Sequence, residues 1–184
     1  MKLQKKIAVI YKSKYGSTKQ YAQWISIALE VPLFEASEIK PSQLEDYDVV
    51  IYGGGLYAGG IDGVKLVTKS LNKCKQLVVF TVGLADVKTT NFSDILSKAF
   101  TQEQLSDVKI FHLRGAMDYK ELSLLHKGMM AMVKKDAEKT PTEKRTSDDV
   151  FLLETYGKKV DFMDKNSIKP IVEYVCSLDH NKDV

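Results

Sequence analysis

Apolar residues in this chain fall into short unbroken runs, separated by stretches where they recur every third or fourth position. The first run, Ile7-Ala8-Val9-Ile10-Tyr11, is rich in β-branched side chains. A strand covered on both faces needs apolar side chains pointing both ways, so this run predicts an interior strand of a parallel sheet. Comparable runs stand at Val49-Val50-Ile51-Tyr52, Leu77-Val78-Val79-Phe80-Thr81-Val82 and Val108-Lys109-Ile110-Phe111-His112-Leu113. A weaker strand is expected over residues 32–35, ahead of the turn Asp46-Tyr47-Asp48. Helical spacing fills the intervals, beginning with Tyr21, Ala22, Ile25, Ala28 and Leu29 on one face. The final helix is expected from Ser167, with Pro170 still in its first turn. Strand and helix in alternation predict an α/β fold: a doubly wound, five-stranded parallel sheet with right-handed crossovers and helices on both faces, three layers in all.

Length fits one domain, since 184 residues bury a single good core. The whole span 1–184 is therefore read as one unit, with no internal repeat, low-complexity segment or linker. Lys and Arg exceed Asp and Glu by only 27 to 24, and no basic arm lies among the aromatics, so no nucleic-acid partner is expected. Cys74 and Cys176 belong to no metal-ligand or redox spacing and read as reduced thiols of a cytoplasmic protein. The start, Met1-Lys2-Leu3-Gln4-Lys5-Lys6, is basic, but the apolar run after it is too short for a signal peptide and serves as the first strand. No stretch approaches the roughly 20 apolar residues that span a bilayer, so any membrane contact is expected to be peripheral.

In a doubly wound sheet, ligands sit beyond the carboxyl ends of the strands, which makes the loops there the places to look for chemistry. The first strand is followed by Ser13-Lys14-Tyr15-Gly16-Ser17-Thr18 and then at once by a helix. Unpaired N–H groups and the positive dipole end at a helix N-terminus favour a phosphate. The hydroxyls of Ser13, Ser17 and Thr18 add donors, and Gly16 lets the backbone approach closely. The same residue types also serve as plain helix caps. After the third strand comes Gly53-Gly54-Gly55-Leu56-Tyr57-Ala58-Gly59-Gly60, a loop too glycine-rich for a mere connection. A flat ligand against a bare backbone would account for it, with Tyr57 either stacking on an aromatic ring or serving as an ordinary core or surface tyrosine. The fourth strand ends in Thr81-Val82-Gly83-Leu84-Ala85-Asp86, again with small residues at that edge.

Competing nucleotide motifs fail on these residues. A P-loop would need G-x-x-x-x-G-K-[ST], which is absent. Gly53-x-Gly55-x-x-Ala58 has the dinucleotide form but follows a later strand, and no acid ends the next one. A phospho-receiver domain would want acids where Lys12-Ser13 and Tyr52-Gly53 stand. No Ser/His/Asp arrangement is defensible, so no catalytic residue is assigned. His112 and His126 lack a second ligand at metal spacing, and no metal is expected.

Together the three loops resemble those of flavodoxins, with S-x-Y-G-S-T and its flanking strand and helix as the most specific element. The resemblance implies non-covalent FMN and electron transfer. It sets the phosphate at Ser13, Lys14, Tyr15, Gly16, Ser17 and Thr18. It sets the ring between Gly54, Gly55, Leu56 and Tyr57 on one side and Thr81, Val82, Gly83 and Leu84 on the other. It also makes Gly54 and Gly55 candidates for the backbone carbonyl that meets flavin N5. Two departures stand out: the chain is slightly basic where electron-carrier flavodoxins are acidic, and it is longer.

The extra length is a helical insertion after the fifth strand, at about 118–146, which resembles that of menaquinone-dependent protoporphyrinogen dehydrogenases. That resemblance implies an alternative, an FMN-dependent oxidoreductase passing electrons from a porphyrinogen to a quinone. The partner is then a redox protein in the first reading and a small-molecule or quinone acceptor in the second. Within the insertion Leu122, Leu125, Met129, Met132 and Val133 share one helical face, with Lys120, Lys127, Lys134 and Lys135 around the other. Such a face can pack on its own domain, cover an apolar substrate, or lie on an anionic membrane through residues 120–135, at the inner face of the membrane. Arg114 and Tyr119, just past the fifth strand, are candidates to meet an acidic substrate near the flavin or, equally, to serve as surface residues.

Overall fold

The computed structural model describes residues 3–57, 59–70 and 75–180. Ala58 and Cys74, both singled out above, lie outside the described residues. The central sheet is made of β1 (Ile7–Lys12), β2 (Leu33–Glu35), β3 (Val49–Tyr57), β5 (Gln76–Gly83) and β6 (Val108–Arg114). Its order is β2-β1-β3-β5-β6, and every neighbouring pair is parallel. A short β4 (Gly60–Ile61) folds back antiparallel on the end of β3.

Successive side chains of each strand enter opposite layers. Val9, Ile51, Val78 and Phe80 meet Tyr21, Ile25 and Leu29 of α1 (Ser17–Leu29) and Ile171 and Val175 of α7 (Lys169–His180). Ile10, Val50, Tyr52 and Val79 meet Leu44, Val67 and Phe100 on the other side. That face is covered by α2 (Lys65–Thr68), α3 (Ser93–Ala99) and α4 (Gln102–Asp107). Five parallel strands between two helical layers are the architecture the apolar runs predict. The last helix is preceded by a tighter turn over Lys165–Ile168, so α7 proper begins two residues later than expected, with Pro170 in its first turn.

The glycines at 53–55 are not a loop: they continue β3, pairing with Tyr11 and Lys12 of β1 and with residues 80–82 of β5. Their bareness is filled by protein. A Cβ on Gly53 would lie 2.1 Å from the Phe80 ring, one on Gly54 2.5 Å from Ile61, and one on Gly55 2.6 Å from the Tyr57 ring. Gly53 and Gly55 therefore do not form a strand-to-helix turn, which removes the dinucleotide reading as well.

Between β6 and α7 the chain makes an excursion closed by an antiparallel ribbon, β7 (Ala116–Asp118) on β8 (Lys159–Asp161). Inside it α5 (Leu124–Lys139) and α6 (Ser147–Thr155) pack as a hairpin. Arg145 ties the turn between them by donating from Nε to the carbonyls of Ala137 (3.2 Å) and Thr140 (3.0 Å), which α5 leaves unpaired at its C-terminus. The apolar face expected for this segment is divided. Leu122 is buried ahead of α5 and Met129 is half-buried, but Leu125 is 71% and Met132 69% exposed, and Val133 points outward too. Ala137 is the residue of α5 that reaches the interior. Among the described residues no helix is long and apolar enough to cross a membrane.

Candidate functional site

At the carboxyl edge of the sheet lies a cavity of about 390 Å³, within the roughly 300–1,000 Å³ usual for small-molecule sites. All three expected segments reach it: Tyr15, Ser17 and Thr18 after β1, Leu56 and Tyr57 at the end of β3, and Val82, Gly83 and Leu84 at the end of β5. Ser13, Lys14, Gly16, Gly54, Gly55 and Thr81 do not line it. Each has another place. The Ser13 hydroxyl accepts from the Gly16 N–H (3.1 Å) and so shapes the loop. Gly54 and Gly55 are strand, and the Gly55 carbonyl accepts from the Asp62 N–H (2.9 Å). Thr81 is fully buried, its hydroxyl 2.6 Å from His112 Nδ1.

The loop after β1 leads into the N-terminus of α1. Gly16 caps α1 at φ +95°, a left-handed conformation that L side chains rarely adopt. The first helical bond runs from the Gln20 N–H to the Gly16 carbonyl (2.9 Å), so the N–H groups of Ser17, Thr18 and Lys19 lie ahead of the ladder. No acidic residue stands in the first turn of α1, which leaves its positive end uncompensated. The Ser17 hydroxyl is not free: it accepts from the Ala116 N–H (3.0 Å) and faces the Ala116 carbonyl at 3.3 Å. Ser17 therefore offers the cavity its backbone rather than its side chain.

The excursion supplies the opposite wall. Met117, Leu122, Met129 and Met130 line the cavity, as do His126 and Asp148. Thr90, in the segment after β5, donates to Asp148 at the start of α6 (3.1 Å) and joins the two sides of the mouth. His126 is the closest link. Lys14 Nζ stands 3.2 Å from its Nε2 and Tyr15 Oη 2.6 Å from its Nδ1, while its ring stacks on Tyr57 at 5.6 Å and 19°. An ammonium can only donate, so Nε2 accepts and a neutral ring carries its proton on Nδ1, donating to Tyr15. Tyr15 Oη also accepts from the Ser123 N–H (3.3 Å), which leaves its own proton for an acceptor. Burial pushes the Tyr57 phenol up to about 12, with Tyr15 and Asp62 adding to the effect, so it remains a neutral wall.

Sequence reasoning missed His126, Asp148, Met117 and Met130 as lining residues, while Leu122 and Met129 come from the face it offered as a cover. Only tertiary folding brings His126 beside a loop 111 residues away. A weaker signal was available at Gly115 and Ala116, small residues after β6 at the same sheet edge, and both line the cavity. Arg114 and Tyr119 do not line it: the Tyr119 hydroxyl bonds that of Tyr156 (2.6 Å), and Arg114 turns behind the wall. Among the described residues no group of three or more His, Cys, Asp or Glu is placed to hold a metal.

His112 is a structural residue with a pH signature. It stacks on Phe92 at 3.7 Å and 11°, and burial lowers its pKa below the ordinary 6.5. In the unfolded chain the imidazole takes its proton more readily, so stability is full above about pH 6.5 and falls as pH drops through the interval beneath it. Urea denaturation from pH 7.5 to 5 should show this loss, and His112→Gln should remove that part of the slope.

A parallel sheet of order β2-β1-β3-β5-β6, with helices on both faces and a cavity at its carboxyl edge, defines a doubly wound α/β protein. The particular class follows from residues 8–144, which match a family model described as Flavodoxin domain, and the chain belongs to that family. It is a flavodoxin-like, electron-transferring redox protein. Among proteins of curated function none matches the chain. Solved structures similar to it include a flavodoxin from the domain Archaea, 14% identical, with 92% of this chain and 98% of that one covered and a TM-score of 0.46. Another is oxidised Flavodoxin 2 from Bacillus cereus, 22% identical over 59% of this chain and 84% of that one, TM-score 0.43. A third, the Flv1 flavodiiron core from Synechocystis sp., is 16% identical over 59% of this chain, which spans 29% of that protein's length, TM-score 0.44.

Proposed function

We propose that the cavity holds FMN non-covalently, its phosphate at residues 13–18 and its ring between Leu56 and Tyr57 on one side and residues 82–84 on the other. The observation that carries this reading is the convergence of the segment after β1 and the ends of β3 and β5 on one cavity that reaches the uncompensated start of α1. FMN, when bound, supplies one- and two-electron redox chemistry. The chain's own part is to hold and shield it. Backbone N–H groups of Ser17, Thr18 and Lys19 meet the phosphate, Tyr15 donates its free proton, and Lys14 contributes charge. Leu56, Tyr57 and Val82 give the ring apolar walls. Gly54, Gly55 and Thr81 act from behind those walls, and Ser13 and Gly16 act by shaping the loop.

A second reading rests on the excursion. A carrier that meets protein partners gains little from a lid, whereas Met117, Leu122, Met129 and Met130 enclose the cavity much as a cover encloses a small substrate. This favours an FMN-dependent oxidoreductase of the protoporphyrinogen dehydrogenase (quinone) type as the alternative to a carrier with a redox-protein partner. Leu124, 87% exposed, continues the outward patch of Leu125 and Met132 beside Lys120 and Lys135. That surface suits peripheral contact with an anionic membrane at its inner, cytoplasmic face.

One assay separates the readings. The FMN-loaded protein is mixed with protoporphyrinogen and a menaquinone analogue, and porphyrin fluorescence is followed against free FMN. The oxidoreductase reading expects turnover above free FMN and loses its substrate without it. The carrier reading expects instead that the reduced protein passes electrons to a one-electron acceptor protein.

A further inference from the structure

Arg114 ends β6 directly behind the wall formed by residues 83–85, and its surroundings are unusual for a cation. Its Nε donates to the Leu84 carbonyl at 3.2 Å. Its guanidinium lies 3.9 Å from the Phe162 ring centroid and 5.4 Å from that of Phe151. No carboxylate stands within ion-pair distance among the described residues. Arginine suits such a place because its flat, weakly hydrated cation stacks on aromatic faces while still donating in plane.

The main chain makes the same spot a junction. The Gly115 N–H donates to the Gly83 carbonyl (2.7 Å), and the Phe162 N–H donates to the Gly115 carbonyl (3.1 Å). The Arg114 carbonyl accepts from the buried Tyr21 hydroxyl (2.8 Å), which itself accepts from the Asp164 N–H (3.0 Å). One residue thus joins the loop beside the cavity, the exit of the excursion and the core helix α1. The excursion aromatics hold the guanidinium against Leu84, and Leu84, Gly83 and Gly115 line the cavity.

We propose that Arg114 is a positioning residue and a fixed cation of the flavin site, orienting the turn at residues 83–85 and favouring the reduced, anionic form of the bound flavin. The inference rests on the FMN reading above. Two electrons and one proton, delivered by any external reductant, leave the flavin with one more negative charge than before. A half-buried, unneutralised guanidinium behind the ring-flanking loop stabilises that charge through a medium of lower dielectric than water. The excursion then has an electrostatic task as well as a covering one, since Phe151 and Phe162 keep the cation in place.

The test is the ratio of Kd values for oxidised and reduced FMN, obtained by redox titration of bound against free flavin. Arg114→Gln keeps a donor but removes the charge, and it should lower the preference for reduced FMN at least tenfold, about 30 mV for a two-electron couple. Arg114→Lys keeps the charge and should stay within threefold of the original. Phe151→Glu retains Arg114 but sets a carboxylate against it, and it should repeat the loss even if Arg114→Gln does not fold. An unchanged ratio in Arg114→Gln or in Phe151→Glu overturns the proposal, as does an Arg114→Lys protein that falls as far as the glutamine variant. A wild-type protein that takes up no FMN overturns the flavin reading itself, and the role of Arg114 with it.

Discussion

Gly16→Val is expected to abolish FMN retention while leaving the protein folded. At φ +95° the backbone of Gly16 sits where a β-branched residue is strained by about 1–3 kcal/mol. The strain is relieved by rotating the peptide that aims the N–H groups of Ser17 and Thr18. Nothing lies within 4 Å of a Cβ placed there, so no packing is lost and the fold survives. Binding suffers because the N–H groups no longer converge on one point. A loss of at least about 100-fold in FMN affinity, about 2.7 kcal/mol, is expected by fluorescence titration of the apoprotein. A valine variant that still purifies yellow would show that the loop's shape is not what holds the phosphate.

Gly53→Ala should have the opposite profile, a large loss of stability without a direct effect on the cavity. The added Cβ would stand 2.1 Å from Cζ of Phe80, its register partner on β5 and a fully buried ring. Two central strands cannot separate without breaking their ladder, so the ring must leave its place. Overpacking of this kind costs about 3 kcal/mol, which for a chain this long is roughly 6–12 °C in melting temperature. Phe80→Leu in the same chain should recover part of that loss, and the double-mutant cycle should show a coupling of roughly 1–2 kcal/mol. If Gly53→Ala melts with the original protein, the close approach of Phe80 does not explain this glycine.

The contrast between these two glycines shows what was legible in the sequence. The turn at Gly16 could be read because a glycine between hydroxyl residues and a helical run is a local signal for a helix start, which is where α1 begins, although the Ser13 and Ser17 hydroxyls turn to protein partners instead of the cavity. The strands were equally legible, since Ile7 to Tyr11 and Leu77 to Val82 carry apolar groups on both faces. From those strands, the meeting of their carboxyl ends at one edge followed from the handedness of the crossovers. Gly53 could not be read correctly, because glycine has poor strand propensity and nothing local shows that Phe80 fills the space beside it.

The same limit applies to the excursion. Its helical spacing was visible, but the direction its apolar face takes depends on contacts far away in sequence. His126 is drawn to Lys14, Tyr15 and Tyr57, and Arg145 closes the other end of α5, so Leu125 and Met132 turn outward. Arg114 is legible as a charge at the end of the fifth strand, yet its orientation depends on Phe151 of α6 and Phe162 just beyond β8. Residues whose role is set by one neighbouring turn were readable. Those set by a partner from another part of the chain, Phe80 for Gly53 or Tyr15 for His126, were not.

The most direct measurement is a paired titration of the apoprotein with FMN and with riboflavin, which differ only in the phosphate. The site described above predicts one FMN per chain and riboflavin bound at least about 100-fold more weakly, because the start of α1 would then face water instead of an anion. Equal affinities for the two, or no uptake of either, would contradict it.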